Sequence, residues 1–238
     1  MPRRSRQTPA MVEVTRHQVN GISLAVLSRA PQQSVHPPAV LLPGTGSAAT
    51  DWDAIASELS RDRTVHAVSL RGHGQSDWPG TYSIDLMAAD LAELLPRLGP
   101  QVDLVGHSLG GLVACRAVAA GAATPRRLVL EDVGVPHSRA PAAPARPEGD
   151  LDFDWAVVEQ VRPEIDEPAA HWPETLARID VPTLAIGGGP RSFLPQEHVA
   201  ELVLLVQQGS AVTIDAGHTV HASRPKEFVR AVRAFLDT

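Results

Sequence analysis

The sequence predicts an α/β protein with a mostly parallel sheet of roughly eight strands and helices on both faces. Short apolar runs alternate along the chain with helix-length segments whose apolar residues recur at spacings of three and four. The runs are apolar throughout rather than at every second position, which is typical of parallel strands buried on both faces. A chain of 238 residues is long enough to form one such domain with a large core.

Eight segments are predicted as strands. They are two amphipathic stretches, 12–19 and 22–28, and six apolar runs at 39–42, 65–70, 102–105, 128–130, 183–186 and 211–214. The helix predicted after Ser83 is typical of the intervening segments, because serine is a favourable N-cap and leucines follow it at helical spacing. Catalytic groups in such a sheet are expected at the carboxyl ends of the strands.

An insertion interrupts the alternation between residues 137 and 175. Its RAPAAPARP segment, residues 139–147, has few large apolar side chains, so we expect it to be extended or mobile. The insertion has nine acidic and three basic residues, whereas the rest of the chain has 18 of each sign. We therefore expect residues 1–11 to be a disordered N-terminal tail, 12–136 and 176–238 to form the core, and 137–175 to be a short acidic lid.

Composition disfavours several classes of function. The net charge of −6 provides no basic surface for nucleic acid or an anionic membrane. No apolar run approaches the ~18 residues of a membrane span, and none follows the arginine-rich start as in a secretory signal. Cys115 is the only cysteine, so no internal disulfide or cysteine-based metal cluster can form. We expect a cytoplasmic monomer or homodimer that acts on a small molecule without cofactor or metal.

A candidate nucleophile lies at the end of the fifth predicted strand. Residues 102–111 read VDLVGHSLGG, in which a strand runs into Gly-x-Ser-x-Gly around Ser108 and a helix begins near Leu109. A serine at such a sharp turn projects its hydroxyl above the sheet, and the helix directs N–H groups at developing negative charge. The motif alone is weak evidence, but a preceding strand and a following helix make it specific.

Together with two other segments, this motif resembles the α/β-hydrolase superfamily over about residues 15–236. Residues 41–46 read LLPGTG, similar to the superfamily loop that supplies an oxyanion donor, and residues 69–76 read SLRGHGQS, similar to its turn after the fourth strand. The resemblance implies that the backbone N–H groups of Thr45 and Leu109 form the oxyanion hole. Pro43 stands where the family commonly has histidine, but the implied donor lies two residues later. His73 is expected to be structural.

The candidate general base is His218. Residues 212–221 read VTIDAGHTVH, in which the last strand precedes Gly217-His218, and the segment resembles the superfamily's catalytic histidine loop. A serine hydroxyl needs a positioned imidazole to remove its proton near neutral pH. His218 is selected among ten histidines because it follows the last strand, in the Ser-then-His order of this fold. For His221 we expect a packing or hydrogen-bonding role.

The acid of the triad is the point at which the sequence departs from the superfamily. Arg191 occupies the usual position of the acid after the seventh strand, in VPTLAIGGGPRSF, and an arginine cannot orient an imidazolium. Some members place the acid after the sixth strand, where this chain reads LVLEDV. Asp132 falls on that position and Glu131 is the alternative; a third possibility is that no acid operates.

These residues indicate a serine hydrolase that cleaves a small, apolar carboxylic ester or lactone. There are two alternatives: a carbon–carbon bond hydrolase with the same triad, and a non-catalytic ligand-binding member of the fold. The absence of a working acid would favour the non-catalytic alternative. The pocket walls are expected to be apolar. The side chains offered to the pocket are Phe153, Trp155, Val157, Val158 and Val161 from the insertion, with Trp52 and Trp78 from other loops. Each of the aromatic side chains could equally belong to the core.

Overall fold

The computed structural model describes residues 12–238, so the tail predicted for residues 1–11 lies outside the described residues. The strands are β1 (Val12–Val19), β2 (Ile22–Arg29), β3 (Ala39–Leu42), β4 (Val65–Val68), β5 (Asp103–His107), β6 (Arg127–Glu131), β7 (Thr183–Gly187) and β8 (Gly209–Thr213). The helices are α1 (Asp53–Leu59), α2 (Ile84–Leu98), α3 (Leu109–Ala119), α4 (Ala156–Asp166), α5 (Trp172–Ala177), α6 (Gln196–Leu205), α7 (Val220–Ser223) and α8 (Pro225–Leu236).

The eight strands form one sheet in the order β1-β2-β4-β3-β5-β6-β7-β8. β1 and β2 pair antiparallel, β2 joins β4 antiparallel, and every other neighbouring pair is parallel. The predicted fold class is therefore confirmed. The order places β5 at the centre of the sheet, between β3 and β6, so the loops after these three strands meet at one edge.

The parallel strands are apolar because helices cover both faces of the sheet. Val40 and Leu42 of β3 contribute to the apolar cluster that also contains α2 and α3, whereas Leu41 contributes to the cluster that contains α1 and α8. Successive side chains of a strand point to opposite faces, so a strand between two helical layers needs apolar residues throughout. Continuous apolar runs in the sequence thus predict a doubly covered sheet.

Local signals place the helix boundaries. Ser83 caps α2 by accepting a hydrogen bond from the backbone N–H of Leu86 at 3.0 Å, which confirms the predicted cap. Eight of its side chains are buried on the face that meets the core: Ile84, Met87, Ala88, Asp90, Leu91, Leu94, Leu95 and Leu98. Asp90 is buried among them because its carboxylate forms an ion pair with Arg71, at 2.6 Å.

The insertion between β6 and β7 contains α4 and α5. Residues 139–147 form no regular element and are exposed, as their lack of large apolar side chains predicts. Asp166 binds this segment through two hydrogen bonds: its backbone carbonyl accepts from the N–H of Arg139 at 2.9 Å, and its carboxylate accepts from the N–H of Ala142 at 3.0 Å.

Val157 and Val161 of α4 are fully buried. α4 is therefore part of the main core as well as of the insertion.

None of the helices described between residues 12 and 238 is long and apolar enough to cross a membrane.

Candidate active site

Ser108 lies between β5 and α3 in a backbone conformation that few residues adopt. Its φ is 50° and its ψ is −119°, a strained combination for a residue with a side chain. Its own N–H donates to the carbonyl of Glu131 at 3.1 Å, which ties the turn to the end of β6. The strand-to-helix turn predicted around Ser108 is therefore present, and the serine is partly exposed above the sheet edge.

The glycines on either side of Ser108 are required by close packing. A Cβ on Gly106 would lie 2.7 Å from the carbonyl oxygen of Gly110, and one on Gly110 would lie 2.5 Å from the carbonyl oxygen of Pro43. Both distances are shorter than van der Waals contact with backbone atoms, which cannot move aside as a flexible side chain can. The two glycines allow β5, α3 and the loop after β3 to meet around the serine.

Ser108, His218 and Asp132 are brought into one hydrogen-bonded chain. The Ser108 Oγ lies 3.0 Å from His218 Nε2, and the His218 Nδ1 lies 2.6 Å from Asp132 Oδ2. The Asp132 side chain is fully buried, whereas the His218 side chain is 21% exposed. Asp132 is the first residue after β6, the position that the sequence indicates for the acid, and its φ of 48° lies in the left-handed region.

The Asp132 carboxylate is surrounded by donors. The N–H of Gly188 donates to its Oδ1 at 2.8 Å, and the Gln196 amide donates to the same oxygen at 3.3 Å. The Ser192 hydroxyl donates to Oδ2, which also accepts from His218. Burial alone would raise the pKa of Asp132, but the hydrogen bonds from His218, Ser192 and Gly188 outweigh it and hold this pKa below its ordinary value. The carboxylate is therefore ionised near neutral pH.

The loop after β7 supports the acid instead of supplying it. Arg191, in the usual position of the acid, points to the loop that carries His218, where its guanidinium donates to the Asp215 carboxylate at 2.8 Å. A Cβ on Gly188 would lie 2.2 Å from the carbonyl oxygen of Gly217. Glycine here lets the loops after β7 and β8 touch.

Glu131, the other candidate acid, does not reach His218. Its carboxylate accepts from the backbone N–H of His221 at 2.8 Å and lies 2.8 and 2.9 Å from His221 Nδ1. Both side chains are buried, and the Trp52 ring stacks on the His221 ring with centroids 4.3 Å apart. The expected hydrogen-bonding role of His221 therefore agrees with its contacts.

His107 is a residue of the site that sequence reasoning missed. Its Nε2 donates to the backbone carbonyl of His218 at 3.0 Å, and its ring lies against the rings of His218 and His221. Burial lowers the pKa of His107 to about 4. The only available signal was its place inside the Gly-x-Ser-x-Gly motif, which does not indicate where the side chain points.

The two segments predicted to supply the oxyanion donors adjoin the serine. Leu109 is the first residue of α3, so its N–H has no helical carbonyl four residues earlier to bind. The loop that carries Thr45 is adjacent to the nucleophile, because a Cβ on Gly44 would lie 3.2 Å from the Ser108 Cβ. The N–H of Gly46 donates to His73 Nε2 at 3.2 Å. His73 is buried, which lowers its pKa, and thus holds this loop as a neutral ring.

The walls around the site differ in part from the expectation. Phe193, which was not predicted, lies with its ring centroid 4.2 Å from that of His218 and is 71% exposed. Phe153 packs against Gly46, where an added Cβ would lie 3.2 Å from its ring. The expectation was wrong for Val157 and Val161, which are fully buried in the core. Trp52 is also fully buried in the core, which is the alternative that the sequence left open for the aromatic residues.

Among residues 12–238, no cluster of three or more His, Cys, Asp or Glu side chains is arranged to hold a metal ion. His107 and Glu131, at the ends of β5 and β6, are both bound to the loop that carries His218 and His221.

Comparison with known proteins assigns the family. The model of the alpha/beta hydrolase family matches residues 39–231, most of the chain, so this protein belongs to that family. It is a hydrolase of that fold.

Individual relatives agree with this assignment. The chain is 28% identical to the sn-1-specific diacylglycerol lipase of Mus musculus, in a match that covers 84% of this chain and 81% of the lipase. It is 27% identical to an esterase of Mycobacterium tuberculosis, in a match that covers 85% of this chain and 83% of the esterase. The crystal structure of an enol-lactonase from Burkholderia xenovorans superposes with a TM-score of 0.83 at 23% identity, over 94% of this chain and 100% of that one.

Proposed function

We propose that this hydrolase cleaves a small, apolar carboxylic ester or lactone through an acyl-enzyme on Ser108. The observation that carries the proposal is the continuous chain of contacts from Ser108 Oγ through both nitrogens of His218 to Asp132, at 3.0 and 2.6 Å. A serine, an imidazole and a buried carboxylate at these distances are the components that acyl transfer requires. Relatives described as an esterase and a lipase support the same chemistry.

In the first half of the reaction, Ser108 Oγ attacks the carbonyl carbon while His218 Nε2 takes the hydroxyl proton. The negative charge that develops on the carbonyl oxygen is stabilised by the N–H groups of Thr45 and Leu109. Asp132 stabilises the imidazolium that forms on His218, because it stays ionised. The imidazolium then gives its proton to the leaving-group oxygen, and the bond from the carbonyl carbon to that oxygen breaks.

In the second half, a water molecule repeats these steps in the place of the serine. His218 Nε2 accepts a proton from the water as its oxygen attacks the acyl carbon, and the same two N–H groups hold the oxyanion. The tetrahedral intermediate collapses when Ser108 Oγ leaves and recovers the proton from His218. The products are the carboxylic acid and the free serine.

Apolar surface around the site supports an apolar substrate. The exposed Phe193 ring adjoins the base, and Phe153 borders the oxyanion loop. Beyond Phe153 is a cavity of about 350 Å³. Its lining combines the apolar side chains of Trp78, Leu151, Phe153 and Trp155 with the charged side chains of Arg146, Asp150 and Asp154. In this proposal residues 137–175 act as the lid, since they supply Phe153 and Trp155. Such aromatic walls bind alkyl or aryl groups of an ester by excluding water from them.

A fluorophosphonate probe tests the proposal. The phosphonylated peptide should contain Ser108, and Ser108→Ala should abolish labelling, because only an activated serine attacks the probe. Ser57→Ala, which removes an exposed hydroxyl on α1, is the matched control and should label like the wild type. Failure of the wild-type protein to react would support a protein of this fold that binds without catalysis. A screen of esters and lactones would then define the preferred substrate.

A further inference from the structure

A second acid–histidine pair lies directly behind Ser108, His218 and Asp132. Glu131 is fully buried and binds His221 through both its backbone N–H and its Nδ1, at 2.8 to 2.9 Å. A carboxylate accepts hydrogen bonds only, so His221 Nδ1 carries the proton. The Glu131 backbone carbonyl accepts from the Ser108 N–H at 3.1 Å, but the Glu131 carboxylate forms its hydrogen bonds with His221 and not with the serine hydroxyl. The position of His221 on the base loop, three residues after His218, nevertheless connects the pair to the chemistry.

His107 makes the second contact to the same loop. A backbone carbonyl can only accept, so His107 Nε2 carries the proton that it donates to the His218 carbonyl at 3.0 Å. The ring centroids of His107 lie 4.7 Å from His218 and 5.2 Å from His221, so the three imidazoles pack together. Burial lowers the pKa of His107 to about 4, so the ring is neutral near pH 7. Its hydrogen bond holds the main chain at the base itself.

We propose that Glu131, His221 and His107 form a positioning layer that holds the main chain around His218, so that its Nε2 and Nδ1 reach Ser108 and Asp132 at the same time. The proposal rests on the function proposed above. These three residues touch neither the substrate nor the oxyanion. They act through the base.

The base needs this support because it lies in a loop. β8 ends at Thr213, so His218 is five residues beyond the last strand position. The start of the loop is held by the carbonyl of Gly188, which accepts from Ala216 and Gly217 at 3.0 and 2.9 Å. From His218 onward, two hydrogen bonds hold the chain. His107 donates to the carbonyl of His218, and the Glu131 carboxylate accepts from the N–H of His221.

Packing behind the layer fixes its outer side. The Trp52 ring stacks on His221 at 4.3 Å, and Phe228 of α8 lies 5.9 Å from Trp52 and 6.1 Å from His221, between ring centroids. Trp52 and Phe228 are both fully buried. His221 is therefore confined between a carboxylate and an aromatic cluster, which restricts the movement of the loop. A shift of about 1 Å in a catalytic group can reduce a rate about 100-fold.

The test compares turnover per active site in variants of the layer. Glu131→Gln removes the charged acceptor at nearly constant shape, His107→Phe removes the donor but keeps a ring, and His107→Gln retains an N–H donor. Leu94→Ala is the control, because Leu94 is a fully buried core residue of α2. Active sites are counted by fluorophosphonate titration. The kcat for a p-nitrophenyl ester per titrated site, KM and the melting temperature are then measured.

A positioning role predicts that Glu131→Gln and His107→Phe lower kcat per titrated site by about 10- to 100-fold, with KM changed less than about twofold. His107→Gln should recover most of the loss. Leu94→Ala should lower the melting temperature without changing turnover per titrated site. If Glu131→Gln and His107→Phe keep wild-type turnover per site and lose only stability or active fraction, the layer is structural and the proposal is wrong.

If His107→Phe does not fold, the kcat of Glu131→Gln per titrated site is sufficient to test the positioning role. A failure of the proposed function is distinguishable from a failure of this inference, because the wild-type protein itself would then not be labelled at Ser108.

Discussion

Glu131 and Asp132 are consecutive residues whose carboxylates bind different histidines. Asp132 accepts from His218 Nδ1, and Glu131 accepts from His221 Nδ1. Each carboxylate is fully buried, and each fixes the proton on the Nδ1 of its partner. Only Asp132 belongs to the chain that ends at Ser108.

Asp132→Asn should lower kcat/KM by roughly 10³- to 10⁴-fold, because an amide cannot stabilise the imidazolium and favours the wrong tautomer of His218. The measurement is ester hydrolysis at pH 7.5. Asp215→Asn is the matched control, because Asp215 lies on the loop that carries His218 and pairs its exposed carboxylate with Arg191. This substitution should change kcat/KM by less than about threefold. Equal effects of the two substitutions would remove Asp132 from the acid role.

Phe193→Ala should reduce kcat/KM more for phenyl esters than for methyl esters. The leaving-group oxygen must lie at His218 Nε2 to receive a proton, so we expect the Phe193 ring, which lies beside His218, to contact the leaving group. Loss of one aromatic contact of about 0.5–1.5 kcal/mol corresponds to a change of about two- to tenfold in the phenyl-to-methyl ratio. Leu204→Ala, an exposed leucine on α6, should leave the ratio unchanged. An unchanged ratio in Phe193→Ala would place the leaving group elsewhere.

His107 should make the protein less stable as the pH falls from 6.5 to 4. Burial lowers the pKa of His107 to about 4, so in this range the unfolded state binds a proton that the folded state does not. The free energy of unfolding should therefore fall on acidification by roughly 2 kcal/mol between pH 7 and pH 4.5 through this group. His107→Gln cannot titrate and should show a shallower decline in urea denaturation. Identical pH dependence of both proteins would contradict the neutral state of the ring.

The charge of residues 137–175 gives a prediction about substrates. This segment carries nine carboxylates and three arginines, so an anionic ester should approach against a negative potential. At low salt, kcat/KM should be lower for a carboxylate-bearing ester than for a matched neutral one. The gap should narrow towards molar salt, because the Debye length falls to about 3 Å. Equal rates at low salt, or a gap that salt leaves unchanged, would show that the substrate does not sense these charges.

The sequence predicts the sheet and the triad because both depend on local patterns. Apolar runs identify the strands, and Ser108, Asp132 and His218 each follow a strand end directly or within a short loop. The choice between Asp132 and Glu131 needed the structure. The two side chains are neighbours in sequence, and the left-handed φ of 48° at Asp132 helps set their different directions.

The parts that sequence reasoning missed depend on contacts between distant segments. His107 binds a carbonyl 111 residues later in the chain, and Ser192 binds a carboxylate 60 residues earlier. Neither residue type at its position carries a periodic or motif signal for such a partner. Trp52 shows the same limit, because an aromatic residue near a loop can line a pocket or, as here, fill the core behind it.

Turnover of p-nitrophenyl acetate by the wild-type protein and by Ser108→Ala tests whether Ser108 forms the acyl-enzyme. We expect the wild-type protein to hydrolyse the ester with an initial burst and Ser108→Ala to lose at least about 10³-fold in kcat, because the bond-forming hydroxyl is gone. The variant should keep the wild-type melting temperature within a few degrees, since the substitution removes one oxygen and creates almost no cavity. Hydrolysis by Ser108→Ala at the wild-type rate would contradict an acyl-enzyme on this serine.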